Sequence, residues 1–196
     1  MGCADGVVLP TLSQRYERVA AIDVNPCWTS RAQRLVTALD LHNVRVVCGE
    51  SLSPAALRAE IGPGFGLMYL LETLEHVGAQ PDMWGSKVEF LRESLALLER
   101  GGRIVISVPK MVGPVMLIKN LLQRSLGWDY DRLSWRQLVR SAFWNDTLEL
   151  EPAWNGGHLG FNHLRLERHL AEHFTVYHRS ESAISAFYVI GDHRHP

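Results

Sequence analysis

The chain has 196 residues, 46% of them hydrophobic and 21% charged, and its 20 Lys and Arg against 21 Asp and Glu give a net charge of −1. That length buries one substantial core and is short for two domains, and the mixture excludes disorder and fibrous repeats. A near-neutral chain also has no long-range field to gather nucleic acid or an anionic membrane, so any such partner must be argued from local residues.

Three cysteines, Cys3, Cys27 and Cys48, are odd in number and widely spaced. They suit neither a disulfide framework nor a zinc knuckle and read as reduced thiols of a cytoplasmic protein. The start has no basic segment followed by an apolar stretch, and no apolar run reaches the roughly 20 residues of a spanning helix, so neither export nor membrane integration is expected.

In chain order, Gly2-Cys-Ala-Asp-Gly6 forms a glycine turn ahead of a predicted helix. Val19–Asp23 and Val44–Cys48 are β-branched runs that read as strands, and between them Ala32, Leu35, Val36 and Leu39 fall at helical spacing after the start signal Asn25-Pro26. The unit is β-α-β, which makes a parallel sheet. A weaker helix over 54–61 leads into the apolar run Phe65–Leu71, a third strand. Val88, Leu91, Leu95 and Leu98 share one face of the next helix, which Arg100-Gly-Gly is predicted to end with a left-handed glycine cap. Arg103–Pro109 is a fourth strand, apolar on both faces as a buried parallel strand is.

After Pro109 the alternation lapses, and Met111–Trp154 holds an apolar segment and four of the six tryptophans. This stretch is expected to cap one end of the sheet. A helix over 164–173 and the runs Thr175–His178 and Ala186–Ile190, an antiparallel pair, close the chain. The expected division of a single domain is therefore a cofactor-binding core over 1–110, a cap or acceptor region over 111–163, and a C-terminal helix and strand pair over 164–196.

The chemistry concentrates at the first turn. A glycine turn lets backbone approach a ligand closely, and an acid at the end of the following strand, about twenty residues on, can accept both hydroxyls of a ribose. Gly2 to Gly6 with Asp23 thus describes a nucleoside-binding crevice. A dehydrogenase would require G-x-G-x-x-G, and the third glycine is absent.

These residues resemble the motifs of class I, Rossmann-like, S-adenosylmethionine-dependent methyltransferases. Gly2-Cys-Ala-Asp-Gly6 is similar to their glycine-rich first motif, Ala21-Ile-Asp23 to the acidic second, and Leu71-Glu-Thr-Leu-Glu-His-Val77 to the segment after the fourth strand. Leu98–Pro109 resembles their Gly-Gly, strand, Pro segment, and Gly160-Phe-Asn-His-Leu-Arg-Leu-Glu-Arg168 a C-terminal helix of some bacterial members. The resemblance implies an α/β fold with a mostly parallel sheet, helices on both faces and an antiparallel C-terminal hairpin. It also implies roles: Gly2, Ala4, Gly6 and Leu71 along the cofactor, Asp23 on its ribose hydroxyls and Glu50 at its adenine.

Two departures stand out. The family's first strand, which runs into the glycine motif at the centre of the sheet, has no counterpart before Gly2, and Gly66 stands where relatives commonly carry an acid. Strands flanking the absent one should face an empty slot or close on each other, and unpaired buried backbone groups cost about 1–3 kcal/mol each in domains worth only about 5–15 kcal/mol. A start upstream of Met1, or a degenerate copy with weak cofactor affinity, is the expectation.

For catalysis, His76 is the first candidate because histidine takes a proton near neutral pH, with Glu75 beside it and His163 second. Glu72, Glu75 and His76 form E-x-x-E-H, a spacing shared with metal-binding ubiquinone-pathway and small-RNA 2′-O-methyltransferases. No metal is expected here; the set that spacing offers is Glu72, Glu75 and His76, with His158 or His163 to complete a shell. Pro114–Ile118 with Trp128, Tyr130, Trp135 and Trp144 suits a greasy or ring-bearing acceptor or a peripheral membrane contact, and equally reads as core. The expected function is methyl transfer, on oxygen, to a small-molecule, glycan or lipid acceptor. A non-catalytic module is the alternative, and RNA methylation is disfavoured by the neutral charge.

Overall fold

The computed structural model describes residues 1–49, 54–78, 80–127, 133–147, 150–153, 156–158 and 160–193. Glu50, Trp128, Tyr130 and Trp154 lie outside the described residues.

Strands form where the sequence runs apolar and β-branched: β1 (Val19–Asp23), β2 (Val44–Cys48), β3 (Leu67–Leu71), β4 (Arg103–Pro109), β5 (Thr175–Glu181) and β6 (Ser185–Gly191). Helices α1 (Leu9–Arg15), α2 (Pro26–Ala38), α3 (Pro54–Ile61) and α4 (Met83–Ala96) alternate with the first four strands; α5 (Pro114–Ser125), α6 (Trp135–Trp144) and α7 (His163–His173) follow. Caps fix several starts. The Asn25 side chain accepts from the Cys27 N–H, Asp82 from Gly85, and Ser134 and Gln137 close a reciprocal box at the start of α6.

Two sheets result. β1 and β2 pair in parallel with Val19 opposite Val44, while the second sheet runs β3-β4-β6-β5, parallel between β3 and β4 and antiparallel around β6. Period-two alternation assigns the faces. Val19, Ala21 and Val44 pack with Leu9 of α1 and Ala32 and Val36 of α2, whereas Ile22 and Val47 join α3, α4 and the apolar rows of β3, β4 and β6 in the main core. Helices thus cover both faces, as the sequence implies.

Between β1 and β3 the sheet is open. A cavity of about 940 Å³ is lined by Val19 to Ile22 on one side and by Gly66 to Tyr69 and Leu71 on the other. Of the two outcomes expected for a sheet without its central strand, the structure takes the slot. The start of the chain lies across it: the Met1 amine donates to the Tyr69 carbonyl at 2.7 Å, and the Cys3 N–H donates to the Ile22 carbonyl at 3.0 Å. Deeper in, the Tyr16 and Tyr69 hydroxyls are hydrogen-bonded at 2.6 Å, and the Arg18 guanidinium lies 4.3 Å over the Phe65 ring. Burial pulls the Met1 amine down to about 6.

Two local expectations are corrected, and one departure gains a physical setting. The helix ending near Arg100 stops at Ala96 with Leu97, in right-handed geometry, as its cap, and the left-handed Gly101 belongs to the turn feeding β4. The lapsed segment after Pro109 contains two regular helices, α5 and α6. Gly66 lies under Glu99, whose Oε1 would sit 2.9 Å from an added Cβ, so an acid at position 66 would meet a like charge that this chain supplies from the turn after α4.

Candidate active site

The first turn is built from left-handed backbone. Gly2, Ala4 and Gly6 have φ of +69°, +45° and +84°. Space makes the same demand as conformation at the two glycines, because a Cβ at Gly2 would lie 2.3 Å from Thr73 Oγ1 and one at Gly6 would lie 2.8 Å from Leu9 Cδ1. The turn therefore seats on the segment after β3 and on α1, and swings its amides toward the end of β1.

There Asp23 waits, 9% exposed. Its Oδ2 accepts from the Ala4 N–H at 2.8 Å and its Oδ1 from the Asn25 N–H at 2.9 Å. Each oxygen is oriented by one amide and keeps a second acceptor position, the arrangement needed to take two neighbouring hydroxyls. Gly2, Ala4 and Leu71 also line the upper end of the slot; Gly6 and Asp23 do not. Glu50 lies outside the described residues.

A second group of residues assembles after β3. The chain leaves β3 at Glu72 with φ +48° and makes one 3-10 turn, Leu74–His76. Glu72 is committed to β4: its N–H donates to the Ser107 carbonyl at 3.0 Å and its Oε1 accepts from Ser107 Oγ at 3.0 Å. The E-x-x-E-H spacing consequently fails to bring Glu72 to Glu75 and His76. A regular helical turn would have aligned them, but the helix begins only at Leu74.

What converges instead is Glu75, His76 and His158, with one donor atom from each within 4.8 Å of the others. Glu75 is fully buried, and neither carboxylate oxygen has a hydrogen-bond partner among the described residues. Desolvation pushes its carboxyl up to about 7, with a smaller push from the Glu72 charge. The Nε2 atoms of His76 and His158 lie 3.8 and 3.9 Å from Glu75 Oε1, and the two rings are 5.0 Å apart. His76 Nδ1 lies against the Gly156 carbonyl. A carbonyl can only accept, so Nδ1 carries the proton and Nε2 is left as the acceptor.

Lys87, which the sequence reading passed over, positions this group. It is buried on α4 and its ammonium donates to the Leu74 carbonyl at 2.9 Å, the Glu75 carbonyl at 3.1 Å and the Val77 carbonyl, capping the 3-10 turn. Burial lowers its pKa to about 7. The only available signal was a lysine on the apolar face of a helix, at the position before Val88.

His163 stands apart from this group. It is buried at the first turn of α7, its Nδ1 has no hydrogen-bond partner among the described residues, and burial lowers its pKa to about 4, in the field of Lys110, Arg179 and Glu181. Its neighbours in sequence are structural: Phe161 fills the core, and the Asn162 side chain caps α7 and donates to the Asn145 carbonyl at 2.9 Å. Trp135 and Trp144, expected to line an acceptor pocket, are 59% and 69% exposed. The cap turns them outward.

An α/β architecture with helices on both faces, a glycine turn at the strand ends and an antiparallel return is the fold of class I S-adenosylmethionine-dependent methyltransferases. Solved structures bear this out. The chain is similar to an S-adenosylmethionine-dependent methyltransferase of Clostridium acetobutylicum, with a TM-score of 0.61 and 12% identity over 97% of this chain and 81% of that one. One from Aquifex aeolicus gives 0.59 and 16% identity over 96% and 78%. An N-methyltransferase of Bradyrhizobium japonicum in complex with S-adenosyl-L-homocysteine gives 0.54 and 15% over 98% and 75%. No family model and no curated protein sequence matches the chain.

Proposed function

We propose that the chain binds S-adenosylmethionine at the turn of Gly2 to Gly6 and directs its methyl group to an oxygen of a small-molecule, glycan or lipid acceptor. The observation that supports this most is the buried Asp23 carboxylate held by the Ala4 amide at 2.8 Å, a nucleoside-binding pair in the fold that solved methyltransferases share. When bound, the cofactor would supply an electrophilic methyl carbon on a sulfonium, with a neutral thioether as its leaving group, and Gly2, Ala4, Gly6 and Asp23 would hold it. The protein's residues orient the acceptor and take the hydroxyl proton. His76 Nε2 is suited to that proton because its tautomer is fixed from the other side by Gly156 and its side chain is 48% exposed. Glu75, deprotonated, stabilises the imidazolium that forms; protonated, it does not. No step requires a metal.

A titration calorimeter reads the proposal directly. S-adenosylmethionine should bind the chain and fail to bind Asp23→Asn with comparable affinity; equal binding removes Asp23 from the site, and no binding by either protein defeats the cofactor assignment. The slot favours a second reading, a non-catalytic module, because the sheet beneath the cofactor turn is open there. Radiolabelled methyl transfer into lipid extract, with bulk RNA as the comparison acceptor, separates the two.

A further inference from the structure

We infer that the outward face of α5 and α6 docks on an anionic lipid bilayer, which deepens the proposed function by placing the acceptor at a membrane surface. The two helices are packed on the protein by Met116 and Asn120 of α5 and by Leu138, Ser141 and Ala142 of α6. Opposite the buried positions of α5 lie Ile118, Leu121, Leu122 and Leu126, at spacings of three and four residues. Trp135, Val139 and Phe143 form a matching stripe on α6, and Trp144 adds a second ring against Phe143 at 6.2 Å. All eight are exposed, Ile118 at 58%, Phe143 at 65% and Trp144 at 69%. Eight large apolar side chains on two neighbouring helices thus face water, a concentration that soluble monomers rarely present without a binding partner.

The charges choose the partner. α5 carries Lys119 and Arg124 and α6 carries Arg136 and Arg140, and neither helix has an acid. Over 114–144 the chain has five Lys and Arg (119, 124, 132, 136, 140) against two Asp (129, 131), a net +3 in a chain of net −1. Residues 128–132 lie outside the described residues, and Asp146, just beyond α6, pairs with Arg140. Arg124 lies 4.5 Å over the Trp135 ring, joining the cationic and aromatic elements of the two helices. Leu, Trp and Phe on one face with only Lys and Arg among the charges is the composition of helices that lie in the headgroup layer, and Trp prefers that depth. A protein partner or a second copy would be served by the apolar face but has no need of a region this one-sided in charge.

The position agrees with use. α5 begins five residues after the C-terminal end of β4, on the side of the sheet where the turn of Gly2 to Gly6 and Asp23 gather. An acceptor leaving the bilayer under this cap would enter at the strand ends.

Vesicle flotation tests the inference without needing cofactor or turnover. The protein should float with vesicles of phosphatidylcholine containing one-third phosphatidylglycerol about tenfold more than with phosphatidylcholine alone, and high salt should reduce the difference. The double variant Phe143→Ser, Trp144→Ser, altered only at exposed positions, should fold with unchanged circular dichroism and lose flotation. Failure of the wild type to float, or flotation that the double variant retains, overturns the inference. So does a concentration-dependent dimer in light scattering that the double variant dissolves, which would assign the face to a second copy. Cofactor titration in the absence of vesicles reports on the proposed function separately.

Discussion

The two sides of the slot are built to different standards. The β3-β4-β6-β5 sheet contributes to one large core, and the turn after β3 is pinned from several directions, by Ser107 on Glu72, by Lys87 on three carbonyls and by Gly156 on His76. The β1-β2 sheet has two strands among the described residues; one face packs a small cluster beneath α1 and α2, Ile22 and Val47 on the other join the main core, and Met1 and Tyr16 bridge across to Tyr69 of β3. The proposed acid–base residues therefore rest on a broad frame, while the proposed cofactor turn rests on a narrower one. In such a protein, groups that move protons should be separable by mutation from groups that hold the cofactor.

The sharpest test of that separation is His76→Ala, which should lower methyl transfer into lipid extract about 10²- to 10⁴-fold while calorimetry shows cofactor affinity unchanged. A parallel loss of affinity would merge the two sides. On the other side, Asp23→Asn should weaken S-adenosylmethionine binding about tenfold to a hundredfold, because an amide cannot accept from Ala4, Asn25 and two hydroxyls at once. Gly6→Ala places a Cβ 2.8 Å from Leu9 and 3.2 Å from Ala32 at φ +84°, so it should cost about 1–3 kcal/mol in chemical denaturation and weaken cofactor binding with it.

An added apolar, β-branched segment of about five residues ahead of Met1 addresses the slot itself. Pairing with β1 and β3 should raise the melting temperature by a few degrees and tighten cofactor binding. Unchanged values would mean that the two-sheet arrangement is self-sufficient.

The smallest effect is a slope. Glu75 is raised to about 7 from 4.5, so its protonated form favours folding: that contribution is fully present below about 4.5 and is lost as the pH rises through about 7. Glu75→Gln, which cannot ionise, should remove this part of the decline, seen as a flatter melting temperature between those values. Parallel curves for both proteins would show that Glu75 is not desolvated.

Much of the fold was legible because apolar runs and their periods are local. β1, β2 and β4 coincide with the predicted runs to the residue, since β-branched stretches bounded by Asn-Pro, Gly and Pro leave little freedom for their ends. Asp23 was legible for a related reason: a turn and the next strand end are neighbours in any β-α-β unit. The E-x-x-E-H motif misled because spacing implies one face only if the helix is continuous, and a left-handed Glu72 tied to Ser107 interrupts it. His163 stands apart from Glu75 and His76, and Trp135 and Trp144 face outward, because the sequence does not say which face packs inward.

By itself, then, the sequence determined the order of strands and helices, the glycine turn and the acid that answers it, since these follow from backbone conformation and hydrophobic period. Only the tertiary structure decided that the sheet stays open between β1 and β3, that His158 rather than Glu72 joins Glu75 and His76, and that Lys87 is buried beneath them. Those outcomes depend on contacts between residues far apart in the chain, where burial and hydrogen-bond satisfaction, which no local pattern encodes, select among arrangements of equal propensity.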